Sequence, residues 1–264
     1  VVKRVRRKFV DLAEGQVHVR QVSGPTERPP LFCLHQSPAS SLTYAELLPH
    51  IERLAVAIDT PGFGESFRPQ ARPDVARYAA WIADVADAMG YARIDAMGLF
   101  TGAAIAAELA AARPDLVRRV VLAGPPLFTA EQQAGFLDNA WPVPPQPDGS
   151  HLMCEWQRTM SRPMPVPFER RVDAFNEYYR GGAHAIWGEQ AVAVYPLADT
   201  LPRIAQPTLI LEPDGIHGDC RGAMALLPNA RIILIACLGY AMMQAVPEEV
   251  AAAVNSFLDE GDTP

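Results

Sequence analysis

The chain has 264 residues, 49% of them hydrophobic and 20% charged, a soluble globular balance with enough apolar material for a sizeable core. Its formal charge of −7 argues against a nucleic-acid partner, and no stretch approaches the roughly 18 uninterrupted apolar residues of a membrane span. Length alone leaves one large domain or two small ones open.

The start, VVKRVRRK, alternates basic residues with Val and reads as an edge strand with one wet face. RVRRKFV (4–10) and QVHVRQV (16–22), split by AEG, predict an antiparallel hairpin. The basic start leads into FVDLAEGQ and not into an apolar run, so no signal peptide is read there and the cytoplasm is the expected compartment. LFCLH (31–35), LAVAID (54–59), RIDAMG (93–98) and RRVVLAG (118–124) are almost wholly apolar, as strands buried on both faces of a parallel sheet should be. Between 74 and 89, Val75, Tyr78, Ala79, Ile82, Val85, Ala86 and Met89 recur at helical spacing on one face. Strand–helix alternation of this kind predicts an α/β class with a doubly wound sheet.

The pattern breaks after GPPLF (124–128), where PVPPQP (142–147) and PMPVP (163–167) punctuate helical-looking segments. Proline ends helices and stiffens loops, so short helices joined at fixed angles are expected here. The sheet pattern resumes with PTLILE (207–212) and ARIILIAC (230–237), and PEEVAAAVNSFL (247–258) reads as a closing helix. A helical insert over 128–196 thus interrupts one α/β unit made of 1–127 and 197–264. Cys33, Cys154, Cys220 and Cys237 lie far apart with no C-x-x-C and are read as reduced.

In this order and spacing, LFCLHQSPASS, AIDTPGFGES, GLFTG, VVLAGP, PTLILEPD and LGYAMMQAVPEEV resemble the successive motifs of the α/β-hydrolase superfamily. The resemblance implies a mostly parallel central sheet with helices on both faces and a helical cap inserted after the sixth strand. It places GLFTG (98–102) at the nucleophile elbow, where the family's G-x-S-x-G carries a serine. Gly98 and Gly102 are kept, but the middle residue is Phe100, which has no nucleophilic atom. Counting back seven residues from Pro247 puts Tyr240 where the family has its histidine. A phenol, with an ordinary pKa of about 10, does not relay protons at neutral pH as imidazole does, but it can donate a hydrogen bond, or act as an acid or base if its environment shifts it. The acid position falls on Asp214, with Asp219 as the alternative. An acyl-enzyme mechanism therefore has neither its attacking atom nor its proton shuttle.

What the family resemblance leaves is an oxyanion site made of backbone N–H groups, at Thr101 and at Ser37 or Gln36, worth roughly 3–4 kcal/mol toward a developing negative charge. Tyr240, Ser37 and Asp214 are the candidate catalytic residues. His35, Phe100, His151, Trp156, His184, Trp187 and His217 are the candidate pocket lining, while His18 and His50 read as surface residues. No metal-ligand spacing is present, so neither metal nor cofactor is expected. The expected partner is a small apolar carbonyl compound, with neither nucleic acid nor membrane involved. Two classes of function remain open. One is an enzyme of lyase, decarboxylase, isomerase or cyclase type that holds an enolate in the oxyanion site. The other is a non-catalytic ligand binder, with hydrolysis by an unrecognised nucleophile or direct water attack as a further alternative.

Overall fold

The computed structural model describes residues 3–138, 146–162, 164–215 and 218–260, with the backbone alone at Asp138, Ala183, Leu238 and Tyr240. Eight strands form one sheet: β1 (Arg6–Leu12), β2 (Gly15–Val22), β3 (Leu31–Leu34), β4 (Ala55–Ile58), β5 (Ile94–Leu99), β6 (Val117–Ala123), β7 (Thr208–Asp214) and β8 (Ala230–Leu238). Their order is β1-β2-β4-β3-β5-β6-β7-β8. The β1–β2 hairpin and the β2–β4 pair are antiparallel, and every later pair is parallel. β1 is an edge strand, as its alternating charges predict, and most of it is exposed.

Because strand side chains alternate between faces, a parallel sheet covered on both sides needs apolar residues at every position. Phe32, Leu34, Val56, Ile58, Ala96, Val120 and Leu122 point to one core. Against them pack α1 (Val75–Ala88), capped by the Asp74 carboxylate on Arg77 N at 2.7 Å, and α2 (Thr101–Ala112). Leu31, Cys33, Ala55, Ala57, Met97, Leu99, Val121 and Ala123 point to the other core, under α9 (Met242–Ala245) and α10 (Pro247–Asp259). Eight of the twelve residues of α2 are Ala or Gly and nine are buried, which lets it sit directly on β3, β5 and β6.

Between β6 and β7 lie α3 (Ala130–Asp138), α4 (Ser150–Ser161), α5 (Phe168–Arg180) and α6 (Trp187–Ala193), the helical insert expected after the sixth strand. The short α7 (Leu197–Thr200) leads back into β7, and α8 (Cys220–Leu226) joins β7 to β8. No disulfide joins the cysteines among the described residues; Cys33, Cys220 and Cys237 are buried and Cys154 is exposed. Among the described residues no helix is long and apolar enough to cross a membrane, and no cluster of His, Cys, Asp or Glu could hold a metal ion.

Candidate active site

β5 ends at Leu99 and α2 begins at Thr101, so Phe100 alone makes the turn. Its backbone sits at φ 49°, ψ −103°, the one positive φ outside glycine among the described residues. Such a conformation costs on the order of 1–3 kcal/mol and persists when its surroundings over-determine it. Here Phe100 N donates to Ala123 O at 2.9 Å, and the Phe100 carbonyl accepts from Ala103 N and Ala104 N. The flanking glycines are steric requirements. A Cβ on Gly98 would stand 2.0 Å from Gly102 O, and one on Gly102 would stand 2.0 Å from Leu34 O. The Phe100 ring is 4% exposed and packs against Phe128 and Phe136, with centroids 5.7 and 6.0 Å away.

The loop after β3 faces this turn. His35 is buried, and its Nδ1–H donates to Gln36 O at 2.8 Å while Nε2 accepts from Thr60 N at 3.1 Å. Burial lowers its pKa against the opposing pull of Gln36 O, Asp59 and Glu177, in keeping with a neutral imidazole. His35 therefore braces the loop and does not line the pocket. Ser37 N donates to Thr101 Oγ1 at 3.2 Å, so this expected oxyanion donor is already engaged. The Ser37 hydroxyl lies under the cap: a Cβ on Gly188 of α6 would come within 1.9 Å of it. Thr101 is the first residue of α2, where the helix itself offers its N–H no partner.

Asp59 ties this loop to its neighbours. It accepts from Ser41 N at 2.7 Å, Glu65 N at 2.9 Å and His18 Nδ1 at 2.8 Å. Burial alone would raise its pKa, but the hydrogen bonds from His18, Ser41 and Glu65 outweigh it and bring the carboxyl down to about 2. His18 is therefore a buried partner, 2% exposed, and not the surface residue that the alternation of its strand suggests.

On the other side of the elbow, Asp214 ends β7 and is exposed. Asp219 caps α8, accepting from Gly222 N at 2.8 Å, which accounts for it without a catalytic role. Tyr240 lies on the single turn Gly239–Ala241 after β8, and both of its chain neighbours line the cavity. The Tyr240 side chain and all of His217 fall outside the described residues.

A cavity of about 450 Å³ opens between the core and the insert. Gln36, Ser37 and Phe100 line it from the core, and Phe136, Arg158, Arg162, Tyr178 and Glu189 line its roof from the insert. Of the aromatic and histidine residues expected there, Phe100 lines the cavity, while four on the insert are used otherwise. Trp156 packs on Phe168 and Phe175, holding α4 to α5. His151 accepts from Gln146 N and lies against Tyr179, and His184 stacks on Trp187 at 4.1 Å. None of these lines the cavity. The roof was missed because charged residues on amphipathic helices read as a solvated face. A signal was present in α4, where Glu155 and Arg158, three apart, share a charged side of the helix, and Arg162 follows just past its end. Burial pushes the Glu189 carboxyl up to about 7, Arg162 and Arg158 opposing the rise and Glu155 adding to it.

The "alpha/beta hydrolase fold" family matches residues 29–212. Haloalkane dehalogenase of Psychrobacter cryohalolentis is 29% identical over 131 residues, covering 47% of this chain and 43% of the relative. A serine hydrolase-like protein of Danio rerio is 36% identical over 109 residues, covering 39% of this chain and 32% of the relative. The chain thus matches less than half the length of these curated relatives. Among solved structures, a membrane phospholipase A described as a bacterial virulence factor superposes with a TM-score of 0.79 at 25% identity, covering 98% of this chain and 87% of that one. The enol-lactonase from Burkholderia xenovorans LB400 superposes with a TM-score of 0.81 at 16% identity, covering 96% and 100%.

Proposed function

Because the chain belongs to the α/β-hydrolase fold family, we propose that it acts on a small carbonyl compound held under its cap without bonding covalently to it. The observation that carries this reading is Phe100. At the elbow, where a nucleophile would face the cavity, stands a phenyl ring with no atom able to attack a carbonyl. The chemistry that such a pocket supports is of lyase, decarboxylase, isomerase or cyclase type. Thr101 N–H would face the developing enolate oxygen, Phe100 and Phe136 would carry the apolar body, and Tyr240 would move the proton. The relatives' names speak for enzymes in general, and their hydrolytic mechanisms do not transfer to this elbow.

A second reading, a binder without turnover, is favoured by one contact. The Ser37 N–H already donates to Thr101 Oγ1 at 3.2 Å, and a ligand oxygen would have to displace that hydroxyl. The two readings separate on a panel of p-nitrophenyl esters, β-keto acids and enolisable ketones. Turnover of the enolisable compounds that collapses in Tyr240→Phe, with no burst from the esters, supports the enzyme. Tight binding with no turnover supports the binder. An ester burst that persists in Phe100→Ala overturns both, because the active site would then lie elsewhere.

A further inference from the structure

The charged residues around the cavity mostly satisfy one another. Arg170 pairs with Glu46 and with Asp173 at 3.3 Å, and Glu177 lies 3.6 Å from Arg180. Arg158 donates to Tyr178 Oη at 3.2 Å and lies 3.9 Å from Glu155. Two cavity-lining groups are left over. Among the described residues the Arg162 guanidinium has no ion pair, and the Glu189 carboxyl has neither hydrogen bond nor ion pair. Both come from the insert, and Phe100 with Phe136 adds an aromatic surface to the same lining. The cavity thus offers both charged and apolar groups to a ligand, and its volume of about 450 Å³ suits a small molecule.

Arg162 is exposed, so its guanidinium stands at the solvent-facing edge of the cavity, where a carboxylate, whose two oxygens match its planar fork, is a suitable partner. An ionised Glu189 would repel such an anion, whereas a protonated Glu189 can donate a hydrogen bond to it. We propose that the roof is a proton-coupled anion site, in which Arg162 and Arg158 take the carboxylate of an amphiphilic acid and Glu189 binds it in the protonated form. This rests on the reading of the cavity as the ligand pocket and narrows its ligand to a carbonyl compound bearing an acid group. The groups facing Glu189 are Arg158 and Glu155 from α4, Arg162 just after it, and Tyr178 from α5. Burial already holds Glu189 near its midpoint at neutral pH, so a neighbouring anion raises its proton affinity further and binding takes up a proton.

Calorimetry with 4-phenylbutanoate and its neutral amide, between about pH 5.5 and about pH 8.5, tests this on the unmodified chain. The acid should bind at least about tenfold tighter than the amide at the acidic end and weaken about tenfold across the range, with proton uptake visible in buffers of different ionisation enthalpy. Amide affinity should stay flat. Arg162→Gln should abolish the preference for the acid while amide binding persists, and Glu189→Gln should flatten the acid's pH profile. Equal binding of acid and amide, or an unchanged pH slope in Glu189→Gln, overturns the anion site and leaves the pocket reading standing. Binding of neither compound overturns both.

Discussion

Phe100 occupies a strained backbone position whose usual justification is a side chain held up for chemistry. In this chain the same strain holds an aromatic ring against Phe128 and Phe136. Returning the hydroxyl alone should not return the reaction. A serine needs a base within hydrogen-bond reach, and the position that would supply one is Tyr240. Phe100→Ser is therefore expected to show no ester burst in stopped-flow release of p-nitrophenol; a burst in that variant would show that another base serves the elbow. Asp59 makes a second prediction at this scale. Its carboxyl titrates lower when folded, from 3.8 to about 2. The stability it brings is thus complete above about pH 4 and is lost as pH falls through about 2. That contribution amounts to about 2 kcal/mol. Urea melts of the chain and of Asp59→Asn should differ at pH 6 and converge toward pH 2.

Between elements, the fold is held at the end of the sheet away from the cavity by a buried ionic staple. Asp95 on β5, fully buried, accepts from Arg53 at 2.8 Å and from Arg118 on β6 at 2.8 and 3.0 Å. Arg53 reaches on to Asp259 of α10, and Arg118 donates to Leu258 O. One carboxylate thus joins two strands to the closing helix. Removing it leaves two guanidinium groups short of their partner, one of them 1% exposed. Asp95→Ala should cost about 3–5 kcal/mol, read as a lowered urea midpoint at constant slope. A loss under 1 kcal/mol would mean that water replaces the carboxylate, and the staple would be dispensable. The strands themselves were readable in the sequence because two-sided burial forces mostly apolar runs at 31–35, 54–59, 93–98 and 118–124. The staple was not, since Asp95 lies inside such a run and its arginine partners are 42 and 23 residues away.

At the scale of the molecule, the core and the cap differ in how far local pattern fixes them. The elbow is readable because its requirements are local, two glycines and a turn within five residues. The cavity roof depends on how α4, α5 and α6 rotate against the core, and no short-range pattern encodes that. Hence Trp156 and His184 drew attention by residue type, while Arg158, Arg162 and Glu189 supply the lining. The contact that sets this docking is small. Gly188 of α6 lies so close to Ser37 that an added Cβ would stand 1.9 Å from its hydroxyl and 2.7 Å from its Cβ. The neighbour is a loop pinned by His35 and Asp59, so the strain must be taken up by the cap. Gly188→Ala should therefore cost about 1–3 kcal/mol and loosen the insert before it loosens the sheet. Limited trypsin digestion reads this directly, because Arg158, Arg170, Arg171 and Arg180, none of them followed by proline, all lie on the insert. Cleavage at those arginines should quicken severalfold in the variant while cuts in the core strands stay slow. Unchanged cleavage would mean that the loop yields instead, and the close approach of Gly188 to Ser37 would then not be what seats the cap.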